Sequence, residues 1–141
     1  VTDEAPPDAD IARRHLRVGW WALLVYLLLG LLLEGLLAYK AGFYLDVGNE
    51  TRRLMWRLAH AHGTLLSLIN VVYGLTVRST PETASGLASG CLLSALVLVP
   101  LGFFAGGMVV HGGDPSVAVL VVPAGAIALA VAVGAVARAI R

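Results

Sequence analysis

The chain has 141 residues, 58% of them hydrophobic and 13% charged, with a net charge of +1 and a mean hydropathy of +0.82. Soluble domains carry about 25% charged residues, and a near-neutral chain offers no field for nucleic acid. Composition therefore excludes an ordinary soluble domain and a nucleic-acid binder, and reads as an all-α integral membrane protein. The single cysteine, Cys91, excludes an internal disulfide and a CxxC metal or redox motif. It reads as a small buried hydrophobe.

In chain order, residues 1–18 read as a flexible tail, first acidic (VTDEAPPDAD) and then basic through Arg13, Arg14 and Arg17. An apolar run over 19–39 follows. It is about twice as long as a signal-peptide core and contains Glu34, so it reads as a retained span. Further spans are expected at 54–77, 86–109 and 116–137. About 20 residues suffice for a helix to cross ~30 Å of hydrocarbon, and an open sheet there would leave backbone groups unpaired. These elements predict four transmembrane helices in an antiparallel bundle, with both termini on the same side. The halves differ in charge and aromatic content, so no internal repeat is indicated.

The connections supply stop and start signals. The first loop, KAGFYLDVGNETRR, has a helix start at Asn49–Glu50. In RSTPETASG, Thr80 is placed to cap, Pro81 to begin a helix and Glu82 to favour its positive end. In HGGDPS, Gly112 and Gly113 stop one helix, Asp114 caps the next and Pro115 starts it, which predicts a tight helical hairpin. Pro100 and Pro123 are expected to kink their spans.

Positive charge sets the orientation. Arg13, Arg14, Arg17, Arg78, Arg138 and Arg141 fall on one side, against Lys40, Arg52, Arg53 and Arg57 on the other. The excess predicts cytoplasmic termini in a bacterial-type inner or plasma membrane. Trp20 and Trp21 then mark the inner interface. Tyr39, Tyr44 and Trp56 mark the outer one, with Arg57 snorkelling to headgroups.

Within the spans, ionisable residues are costly and usually face a bundle interior or a cavity. Glu34, His60, His62, His111 and Asp114 all gather toward the outer end. His60, Gly63, Thr64, Ser67, Asn70, Val71 and Gly74 repeat at three-four spacing on one face of the second span, a small and polar stripe expected to face the interior. His62 lies about 200° from His60, with lipid, another helix or another subunit as its neighbour. Glu34, flanked by Gly30 and Ala38, is expected to face the bundle. In the third span Gly86, Gly90, Ser94, Leu98, Gly102 and Gly106 form a small-residue packing ridge.

Several readings follow. Hydrogen bonds from His60, Ser67 and Asn70, with Glu34 paired to His60, would lock the helices of an accessory subunit in a larger membrane complex or homo-oligomer. A haem b between His60 or His62 and His111 is an alternative. So is a transition metal, copper or zinc, on His60, His111 and Glu34. Proton or ion transfer through Glu34 and His60, and quinone or lipid binding at the outer leaflet, complete the set. No P-loop, dinucleotide fingerprint, nucleophile elbow or HExxH points to an enzyme.

Overall fold

The computed structural model describes residues 7–45, 48 and 50–140. The helix start at Asn49, the first six tail residues and Arg141 lie outside the described residues. Four helices are long and apolar enough to cross a membrane by length and composition. They are α1 (Pro7–Ala38), α3 (Glu50–Ser79), α4 (Gly86–Met108) and a fourth span, in which a 3-10 turn over Val117–Val121 runs into α5 (Val122–Ala139). The short α2 (Gly42–Leu45) fills the first loop.

Helix α1 corrects the tail reading. Residues 7–18 are its first three turns, with Asp8 and Asp10 at the positive end of its dipole. Arg13, Arg14 and Arg17 are exposed, while Ala12 just before them and His15 among them are buried. The other end of α1 closes with a Schellman motif. Lys40 takes φ 50°, its N–H bonds the Leu37 carbonyl, and the Ala41 N–H bonds the Leu36 carbonyl.

The two later connections also differ from expectation. Thr80 makes no side-chain cap, and Pro81–Thr83 forms a separate 3-10 turn. The cap of α4 is Ser85, whose Oγ accepts from the Ala88 N–H. In place of a helical hairpin, Val110–His111 (β1) pairs antiparallel with Asp114–Pro115 (β2). Gly112 and Gly113 between them sit at φ 59° and 94°, as a two-residue turn with both central φ values positive requires. Asp114 thus pairs across from His111 and does not cap a helix. Pro123 lies in the first turn of α5, where its missing N–H costs nothing.

Helix α3 packs against α1 on one side and α4 on the other, and α4 carries α5. At the level of the chain termini, Ala12, Tyr73, Val77, Ala88, Leu92 and Ala132 form one buried cluster. Leu66, Ala95, Leu96 and Val99 form a second. The marginal helices α1 and α5 leave large apolar side chains exposed, among them Trp20, Trp21, Leu31 and Ile127.

Backbone approach depends on glycine. A Cβ on Gly63 would lie 2.3 Å from the Tyr26 ring, and one on Gly74 would lie 3.0 Å from the Ala12 carbonyl oxygen. The ridge of α4 is used only in part. Gly102 and Gly106 meet the valines at the start of the fourth span, whereas Gly86 and Gly90 face open space. A strict four-residue repeat advances about 40° per step on a 3.6-residue helix, so the ridge winds from one face to another.

Pro100 lies within α4 and is buried. Lacking an N–H, it leaves the carbonyl of Leu96, four residues earlier, without its helical donor. The Tyr26 hydroxyl, from α1, donates to that carbonyl at 3.1 Å. Tyr26 thus crosses from α1 over Gly63 of α3 to the backbone of α4.

Candidate functional site

The polar stripe of α3 is largely occupied by neighbouring helices. His60 lies against Gly30 of α1, and its Nδ1–H donates to the Tyr26 carbonyl at 2.7 Å. Ser67 is fully buried and donates to the Gly63 carbonyl. His62, on the opposite flank, donates from Nδ1 to the Leu58 carbonyl and rests its ring on Phe103 of α4, with centroids 4.9 Å apart. Among the described residues, Thr64 Oγ1 is buried without a partner.

Asn70 engages His15, from the stretch expected to be tail. His15 and Asn70 are both 0% exposed. The Asn70 amide nitrogen donates to the Leu66 carbonyl, so its Oδ1 faces the imidazole and accepts from His15 Nδ1–H at 2.7 Å. His15 Nε2 then accepts from the Ser89 hydroxyl at 2.8 Å. The ring stands edge-on to Tyr73, with centroids 4.7 Å apart. One neutral imidazole therefore joins α1, α3 and α4. The sequence does carry a signal for it. Ala12, His15, Gly19, Ala22, Tyr26 and Gly30 follow three-four spacing, so the inward face of α1 continues back through the basic flank.

At the loop end, a groove of about 910 Å³ lies between α1 and α3. Glu34, Leu33 and Leu37 line it from α1, and Arg53, Leu54, Arg57, Leu58 and His60 from α3, with Tyr44 and Leu45 of α2 at its end. Arg53 ties α2 to α3 through the Tyr44 and Leu45 carbonyls and pairs with Glu50. Tyr44, Trp56 and Phe104 stack in succession, 6.1 and 5.3 Å apart. Arg52 binds the Phe43, Gly107 and Met108 carbonyls and so satisfies the open end of α4. Thr51 donates to the Gly113 carbonyl.

The residues singled out in sequence are thus divided among several places. Glu34 and His60 share the groove, His62 lies between α3 and α4, and His111 is exposed in the β-turn. Ser67 and Asn70 are interior. Among the described residues, no three His, Cys, Asp or Glu side chains are grouped to hold a metal. Glu34 makes no ion pair with His60 among the described residues. No protein-family model, curated protein or solved structure matches the chain.

Proposed function

We propose that this chain is a four-helix membrane protein in an antiparallel bundle, with both termini in the cytoplasm, acting as an accessory subunit of a larger membrane complex. The contact pairs support the antiparallel arrangement, with Gly74 of α3 against Ala12 of α1 and His60 against Gly30. The charges on α1 support a membrane crossing. Exposed Arg17 and exposed Glu34 are 17 residues apart on one helix, or ~26 Å at 1.5 Å per residue, which suits a hydrocarbon core of ~30 Å.

The observation that carries the structural role is that the stripe from His60 to Gly74 is taken up by contacts with the chain's own helices. Such bonds fix register between helices where lipid offers no alternative partner. The open half of the α4 ridge, Gly86, Gly90 and Ser94, supplies a face on which a partner helix can approach closely.

The test is native electrophoresis of membranes solubilised in mild detergent, with an absorption spectrum and metal analysis of the purified chain. The expected result is migration in a larger complex, released to the free chain by Gly90→Leu, with neither colour nor stoichiometric metal. Migration as the free chain before substitution would refute the accessory role. A Soret band lost in His60→Ala or His111→Ala would establish the haem reading in its place.

A further inference from the structure

The groove between α1 and α3 contains an unused pair of opposite charges. Gly30 meets His60 across the helix interface. One turn further out, Glu34 on α1 and Arg57 on α3 therefore stand at the same level on facing walls. Both line the groove and both are exposed. Among the described residues neither makes a hydrogen bond or ion pair. Their apolar neighbours are Leu33, Leu37, Leu54 and Leu58. A volume of about 910 Å³ is in the size range of sites for small organic molecules.

We infer that this groove binds a phospholipid whose headgroup carries both a phosphate and a primary ammonium. The phosphate meets the Arg57 guanidinium, which presents a fork of N–H donors suited to phosphate oxygens. The ammonium meets the Glu34 carboxylate on the opposite wall, and the acyl chains follow the leucine-lined seam. A headgroup with phosphate alone would satisfy Arg57 and leave its negative charge facing Glu34. The choice of occupant thus rests on charge complementarity: Arg53, also on the α3 wall, is paired with Glu50, so Arg57 on one wall and Glu34 on the other match one zwitterion. Leucine walls select a lipid over a soluble phosphate ester. This inference is independent of the accessory role, because it needs only the chain itself.

The experiment uses the full chain in nanodiscs of equimolar phosphatidylethanolamine, phosphatidylcholine and phosphatidylglycerol. It is extracted into mild detergent, and retained lipid is counted by native mass spectrometry. Phosphatidylethanolamine should be retained over the other two. Glu34→Gln should lower its ratio to phosphatidylglycerol by about fivefold, the scale of one partly exposed charge pair. Glu34→Lys should reverse the preference, and Arg57→Gln should reduce retention of all three. Unchanged helical circular dichroism in each variant separates these effects from misfolding. Equal retention of the three lipids, or an unchanged ratio in Glu34→Gln and Glu34→Lys, would overturn the inference.

Discussion

Changing Tyr26 to Phe removes one oxygen atom and leaves the ring over Gly63. Pro100 deprives the Leu96 carbonyl of its helical donor, and the Tyr26 hydroxyl at 3.1 Å replaces it. Leu96 is 4% exposed, so water is a poor substitute. An orphaned buried carbonyl costs ~1–3 kcal/mol, and Tyr26→Phe should destabilise the chain by that amount. Pro100→Ala restores an N–H at the right place in α4. In the Pro100→Ala background, Tyr26→Phe should therefore cost ~1 kcal/mol less or better. The assay is a double-mutant cycle, unfolding the four proteins by SDS titration from mixed micelles and following helical circular dichroism. A coupling energy below ~0.3 kcal/mol, the level at which independent sites add, would refute the claim that tyrosine replaces the donor lost to proline.

Other substitutions probe separate contacts. His15→Ala leaves Asn70 Oδ1 and the Ser89 hydroxyl unpaired at the three-helix contact and should cost ~3 kcal/mol in the same titration, from two lost bonds and a cavity. Gly63→Ala puts a methyl 2.3 Å from the Tyr26 ring and should lower the unfolding midpoint. Gly86→Ala, with open space around it, should leave the midpoint unchanged or raise it. Lys40→Gly relieves a left-handed residue at the end of α1 and should stabilise by ~1 kcal/mol.

Length and hydropathy mark all four candidate spans, because about 20 mostly apolar residues with at most one charge among them are a strong signal. The stripe on α3 was also legible. Three-four spacing holds residues to one face, and that face meets α1 through His60, Gly63 and Gly74. The start of α1 is masked in the sequence by its charge. Three arginines in a short stretch resemble a solvated flank, yet they occupy the outer face of a helix whose inner face carries Ala12 and His15. The connection after α4 is ambiguous in sequence because a Gly-Gly pair ends a helix and turns a hairpin equally well. Which of these occurs depends on Val110 and Pro115 meeting across it. The groove was only half visible. Sequence placed Glu34 and His60 at one end of the chain's spans, but Arg57 looked like a headgroup anchor. Its position opposite Glu34 appears only when α1 and α3 are set side by side.

The His15 contact also has a consequence for biogenesis. Its partners are 55 and 74 residues downstream. At ~5–20 residues per second of synthesis, the ribosome adds Ser89 roughly 4–15 s after His15. Asn70 precedes Ser89 by 19 residues, so for ~1–4 s of that interval α1 and α3 can meet through His15 and Asn70 while the imidazole Nε2 lacks its final partner. The nascent helical pair is therefore incomplete until α4 inserts. A quality-control factor that reads unpaired polar groups at helix interfaces would have a defined time window, and a defined residue, on which to act.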